Sequence, residues 1–256
     1  MNPRGLIFDG ALIPGVMSGA VTVTSRVMNP QPPEGADTWL CGAADQQSLA
    51  DWRQVGPRDP ITCPFRVGQR RYVKERWRPW GWREDGPIII EFGDGARRAE
   101  TGGDEDAPGY EEWYEGIATT AIDHLDAPLA PECARKSVPQ DSEGCYHWFV
   151  QGENPLAWRS PLFLPRYCAR TWIEITAVRP ARCQEITEEE ILASGIRYHD
   201  GLGVGLYGWR YSADSPVYVT PRIAYSALWD RLNKARGYPW SMNHWVWRVT
   251  FRTVKP

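Results

Sequence analysis

Two short stretches of the 256-residue chain set out side chains in patterns that could do chemistry. The first, Ser18–Arg26, reads "SGAVTVTSR". In an extended conformation its alternation puts Thr22, Thr24 and Arg26 on one side, and Val21, Val23 and Ser25 on the other. Two hydroxyls and a guanidinium on one face suit a polar ligand or a phosphate. The second, "RRYVKERW" (70–77), places Glu75 between Val73 and Trp77 on the side of a strand that should be buried. A carboxylate there is costly unless it is paired or hydrogen-bonded. Two readings stay open. Glu75 pairs with an arginine such as Arg26, Arg166 or Arg170, or accepts loop N–H groups; or it is a pocket carboxylate that accepts from a base edge or serves as a general base.

A third stretch, "SPLFLPRYCAR" (160–170), offers Arg166 on a loop stiffened by Pro161 and Pro165, close after Trp158. Such a loop could rim a pocket or plug the end of a barrel. Trp77 and Trp158 are the aromatics placed to stack on a base, as an indole does well. Other groups carry no chemistry. His124, His147, His199 and His244 stand in unrelated contexts with no nucleophile–base order. The six cysteines show no CxxC spacing, so no metal site is expected, nor any cofactor. "GLGVGLYG" (201–208) lacks the Lys-Ser/Thr of a phosphate loop.

The elements that must hold these residues are legible in outline. "GLIFD" (5–9) reads as a short strand, with Asp9 capping a helix over roughly 10–18 and Gly19 after its end. A strand follows over 20–28 and stops at "NPQPPEG", where proline cannot join a ladder. Residues 36–66 read as irregular. A turn and strand cover 67–80, with Arg71, Val73, Glu75 and Trp77 on one face, and another strand with its turn covers 86–95. Ten acidic residues against two basic ones over 84–112 read as a solvated loop or insertion. Residues 113–156 show no period. A β-branched strand is expected at 171–179. Thr187 and Glu190 then form a capping box before a helix that Gly195 closes. The clearest helix runs from Thr220 to Gly237, with Pro221 at its first position and Ile223, Ala227, Leu228 and Leu232 as its apolar stripe. The last strand, 244–254, points Trp245, Trp247, Val249 and Phe251 one way. Several strands with few helices indicate an α+β chain with a partly closed barrel.

Composition narrows the function. With 42% hydrophobic and 24% charged residues the chain is an ordinary globular one. A net charge of −3 argues against coating nucleic acid through bulk electrostatics, but not against one base or nucleoside held in a pocket. Asp9 interrupts any signal-peptide core, no apolar run reaches membrane-span length, and the expected setting is cytoplasmic with reduced thiols.

Taken together, "SGAVTVTSRVMNPQPP", "CPFRVGQRRYVKERW", "SPLFLPRYCARTWIEITAVRPARCQEITEEEILASGI" and "LWDRLNKARGYPWSMNHWVWRVTFRTV" resemble, in order, the segments of the phage and prophage group of ASCH-type proteins. That group belongs to the PUA-like superfamily and is often labelled phage morphogenetic. The likeness leaves out 34–62 and 96–156. It implies a single PUA-like (ASCH) domain: an α+β, partly closed β-barrel with flanking helices and a large insertion. Its core would be about 1–33, 63–95 and 157–256, with 34–62 an irregular insertion and 96–156 an insertion or subdomain. It further implies a cleft that binds nucleic acid, RNA or DNA, or a modified nucleoside. Some relatives hydrolyse an N4-acylated cytidine with a Lys, Thr and Glu set. Thr24 matches that threonine, Arg26 the arginine and Glu75 the glutamate, but the lysine position is Val21. Loss of that ammonium removes several kcal/mol of electrostatic help from any such hydrolysis. The expectation is therefore a binding protein whose ligand touches Thr22, Thr24, Arg26, Glu75, Trp77, Trp158 and Arg166. The alternatives are a structural phage component, with virion or assembly proteins as partners, and a residual amidohydrolase using Thr24 and Glu75.

Overall fold

The computed structural model describes residues 5–33, 39–42, 51–54, 61–82, 88–100, 158–201 and 207–255. The insertion expected over 96–156 lies outside them from residue 101 onward. The chain divides into two compact units, one of residues 1–73 with 171–256 and the other of 74–170.

The first unit is built on a five-stranded sheet in the order β1-β5-β9-β12-β2: Leu6–Ile7, Arg70–Lys74, Trp172–Arg182, Trp245–Val254 and Val23–Val27. Long β-branched runs in β9 and β12 make them its spine, paired antiparallel from Trp245 opposite Arg182 to Val254 opposite Trp172. β2 lies antiparallel on the far side of β12, with Arg26 opposite Trp247 and Ser25 opposite Arg248. β1 and β2 are the edges, and no closed barrel is present among the described residues. Two antiparallel pairs complete the unit: β3 (Trp39–Gly42) with β4 (Asp51–Gln54), and β10 (Arg197–His199) with β11 (Gly208–Arg210). The β3–β4 pair corrects the expectation of an irregular 36–66.

Alternation along β12 works as the sequence suggests on one side. Trp247, Val249 and Phe251 join Phe8, Val16, Val21, Met28, Val73 and Ile175 in one core. The opposite face is also covered, because Val246 packs with Ala181, Cys183 and Trp229.

Among the described residues three α-helices serve the sheet. Asp9 caps a 3-10 turn over Gly10–Leu12, accepting from the Ala11 N–H at 3.0 Å. That turn runs into α1 (Ile13–Met17). α2 (Glu188–Ala193) carries the capping box in full: Thr187 accepts from the Glu190 N–H, and the Glu190 carboxylate accepts from the Thr187 N–H. α3 (Pro221–Asn233) starts at a Thr220 cap with Pro221 in its first turn. Its inward stripe is Ala224, Tyr225, Leu228 and Trp229, continued by Asn233, whereas Ile223 and Leu232 are exposed. The large amphipathic rings of Tyr225 and Trp229 rotate the helix away from the purely aliphatic stripe expected. The Trp229 Nε1–H still finds the Tyr238 carbonyl at 2.8 Å.

The second unit contains an antiparallel sheet, β6 (Trp77–Trp82), β7 (Ile88–Phe92) and β8 (Arg97–Glu100). β8 corrects the reading of 84–112 as loop. Asp94 and Gly95 make the β7–β8 turn, with Gly95 at φ +81° and the Asp94 carboxylate accepting from the Ala96 N–H. The strand expected across 67–80 is two strands, since Glu75 and Arg76 interrupt it.

Candidate functional site

In the first unit a partly open cavity of about 50 Å³ lies at the β2 edge. Phe8, just after β1, and Leu12, in the turn that follows, line it. Val21, Val23, Thr24 and Ser25 come from β2 and its approach. Tyr225, Leu228, Trp229 and Asn233 come from α3. Glycines let these elements meet. A Cβ on Gly15 would stand 2.6 Å from Val21 Cγ2, and one on Gly195 would stand 2.6 Å from Leu12 Cδ2. Gly195 also closes α2 at φ +103°, where a side chain is strained. Val21, the position matched to a lysine, is thus a packed apolar wall with 2% exposure.

Behind the cavity lies a polar network that sequence reasoning missed. Arg248 is 1% exposed, on the face of β12 turned away from Trp247. Its guanidinium donates to Ser25 Oγ at 2.8 Å and to the Arg182 carbonyl at 3.2 Å. Ser25 Oγ is also bonded to the Tyr225 hydroxyl at 2.8 Å. Glu190 approaches Arg248 at 3.9 Å and takes a shorter contact from Arg179 at 2.9 Å. Burial pushes the Tyr225 phenol upward, so it stays protonated near neutral pH. A lone arginine inside the apolar run "WVWRVTF" was the available signal for this network.

Arg26 shares with Arg248 an Nε sealed from solvent without a hydrogen-bond partner, but its surroundings differ. Its guanidinium lies 4.9 Å over the Phe8 ring, and its Nε is sealed from solvent with no hydrogen-bond partner. Burial, reinforced by the positive field of Arg236, pushes it down to about 10. The carboxylates on the elements around it are committed elsewhere. Asp9 is held by Arg231 at 3.2 Å, Glu190 by Arg179, and Asp230 by the Trp240 N–H at 2.6 Å. Among the described residues nothing neutralises Arg26. Thr24 lines the cavity two residues before it. Thr22 precedes β2, and its backbone is committed: its N–H donates to Ala193 and its carbonyl accepts from Phe251.

In the second unit Glu75 answers the choice left open by the sequence. It is 4% exposed, and both its oxygens accept from Arg170, at 3.1 and 3.2 Å from Nε and 2.6 Å from Nη2. Arg170 also donates to Asp94 at 2.8 Å and lies 4.2 Å over the Phe92 ring. Burial works against the charges here. The Arg170 hydrogen bond nevertheless holds the Asp94 carboxyl below its ordinary range, and the two acids hold Arg170 above its own. Of the two readings the ion pair is the one seen, with Arg170 as the partner.

Trp77 is 2% exposed and backbone-paired to Arg159, so no face of it is open to a base. Trp158 is half-buried, with Arg76 and Arg78 already 4.8 and 4.4 Å from its ring centre. Arg166 is exposed on a 3-10 turn, Arg166–Cys168. Thr24 and Arg26 belong to one unit, and Glu75, Trp77, Trp158 and Arg166 to the other.

No group of metal-ligating side chains is clustered among the described residues. Cys63, Cys168 and Cys183 are buried, and burial pushes the Cys183 thiol up to about 11, which makes it a poor nucleophile. No helix among the described residues is long and apolar enough to cross a membrane. Compared with known proteins, the chain matches no family model, no curated protein and no solved structure.

Proposed function

We propose that the first unit is a PUA-like (ASCH-type) domain that binds a nucleic-acid strand or a nucleotide at the β2 edge, with Thr24 and Arg26 as contacts. One observation carries the reading: a guanidinium buried at Nε and stacked on Phe8, with no acid among the described residues to neutralise it. A charge kept in that state costs stability, and an anionic ligand is the simplest compensation. The mixed α+β architecture and the order of the matched segments support the same fold.

The cavity sets the manner of binding. Pockets that enclose a small ligand run from roughly 300 to 1,000 Å³. One of about 50 Å³ cannot enclose a nucleoside, so the ligand lies across the open rim. Val21 weighs against the amidohydrolase alternative, because a packed valine offers no ammonium to an oxyanion.

Fluorescence anisotropy with labelled 12-mers of single-stranded RNA and DNA tests the reading. Wild type is expected to bind, and Arg26→Ala to lose at least about tenfold in affinity, or 1.4 kcal/mol. Absence of binding, or binding that Arg26→Ala leaves intact, returns the chain to the alternative of a phage structural component.

A further inference from the structure

We infer that the cavity at the β2 edge reads the keto oxygen of a nucleobase, which accepts a hydrogen bond from the Tyr225 hydroxyl, so that the site prefers uracil, thymine or guanine to cytosine or adenine. This rests on the binding reading above and names the class of base that the site takes. A spare proton carries the assignment. Ser25 and Tyr225 both line the cavity, and their oxygens share one hydrogen bond at 2.8 Å. That bond uses one of the two hydroxyl protons. Arg248, 2.8 Å from Ser25 Oγ, can only donate, so it takes up neither. One hydroxyl proton is therefore left without an acceptor among the described residues, and the open space beside both side chains is the cavity.

The buried cation decides which oxygen holds that proton. Arg248 donates to Ser25, and hydrogen bonds in a chain strengthen one another when each member donates onward. Ser25 then donates to Tyr225, and the phenol, protonated near neutral pH, ends the relay with the free O–H. Arg248 is 1% exposed, and Glu190 stands 3.9 Å away with a closer contact to Arg179, so the positive charge acts along the relay. A terminus of that kind seeks an acceptor and opposes an amino group.

The rest of the cavity narrows what bears the acceptor. Phe8, Leu12, Val21, Leu228 and Trp229 give it apolar and aromatic walls, which solvate a carboxylate poorly and suit the flat edge of a base. At about 50 Å³ it has room for a few heavy atoms, a keto group and the ring atoms beside it, while the rest of the nucleotide lies across the rim. Two other polar groups on the wall are already engaged: Ser194 Oγ donates to the Glu190 carbonyl and Asn233 Nδ2 to the Trp229 carbonyl.

Isothermal titration of the full chain with the 5′-monophosphates of uridine (UMP), guanosine (GMP), cytidine (CMP) and adenosine (AMP) tests the assignment. UMP and GMP are expected to bind about tenfold more tightly than CMP and AMP, the worth of one hydrogen bond made rather than opposed. Tyr225→Phe keeps the buried ring and should bring the UMP-to-CMP ratio within about twofold of unity. Ser25→Ala leaves the phenol but cuts it off from Arg248, and should leave a ratio of about three. Each ratio is read within one protein, so a variant that is merely less stable does not move it. Labelled 12-mers of U and dT should likewise bind more tightly than those of C and dC, and the better of the first two assigns RNA or DNA. Equal binding of all four nucleotides, a preference for CMP and AMP, or a UMP preference that Tyr225→Phe leaves intact overturns the keto assignment while leaving nucleotide binding in place. A protein that binds none of these probes overturns both readings.

Discussion

Arg170 and Arg26 are both arginines drawn out of water and laid over a phenylalanine, yet they sit in opposite electrostatic conditions. Arg170 spans Glu75 and Asp94 with short charge-assisted bonds, and its second unit spends that charge internally. Arg26 has an aromatic ring beneath it and a second cation acting on it, with no acid among the described residues. Arg248 stands between them: buried more deeply than either, it is satisfied mainly by Ser25 and main-chain carbonyls. The contrast teaches which charge to suspect. A buried ion pair is an ordinary structural element, whereas a buried charge with no partner is a debt some other molecule can settle.

Breaking the matched pair should have the largest effect. Arg170→Ala leaves Glu75 sealed and uncompensated, and a loss of roughly 3–5 kcal/mol is expected in urea unfolding. A loss below about 1 kcal/mol would mean that water reaches Glu75, and the contrast with Arg26 would then weaken. Ser25→Ala comes next. It removes the acceptor of Arg248 and the partner of Tyr225 together, so a cost of about 1–3 kcal/mol is expected by the same measurement. Arg26→Met should go the other way, leaving the urea midpoint unchanged or raising it by up to about 1 kcal/mol, because the cation–π contact over Phe8 that is lost is offset by the removal of a desolvated charge. A large loss there would show that Arg26 is structural after all.

How much of this was legible beforehand follows the range of the forces involved. Local signals read well. The Thr187–Glu190 box, the Thr220–Pro221 start and the glycines at 19, 195 and 237 act within a turn, and each appears where the sequence puts it. Alternation along β2 and β12 also reads well, since a strand has only two faces. Partners from distant segments did not. Arg170 was one of three arginines Glu75 could choose, 95 positions along the chain, and nothing local favours it. Arg248 looked like the outward face of β12 because alternation cannot reveal that α3 covers that face. The α3 stripe was misplaced for a related reason: Tyr225 and Trp229 bury rings while keeping their polar tips bonded, which a plain hydrophobic count overlooks. At the site, Thr24 and Arg26 share one face as the alternation predicts, opposite Val249 and Trp247.

The smallest effect is also the one that isolates Arg26 from every other charge. Its folded-state value, about 10, lies below the ordinary arginine range. The folded protein therefore releases that proton before the unfolded chain does. Below pH 10 both states are charged and the burial penalty is present in full. As pH rises above about 10, toward the value of a free arginine, the folded state sheds the charge first and the penalty fades. Wild type and Arg26→Met, compared by urea midpoint at pH 7, 9 and 11, should thus converge at the alkaline end, with wild type gaining relative to the variant. CMP should reverse the order of events. A phosphate across Arg26 favours the charged form, so in saturating CMP the convergence should move above pH 11 and wild type should be the more stable protein at pH 7. If instead the two proteins differ by the same amount at all three pH values, with and without CMP, Arg26 carries no unmet charge, and the distinction from Arg170 disappears.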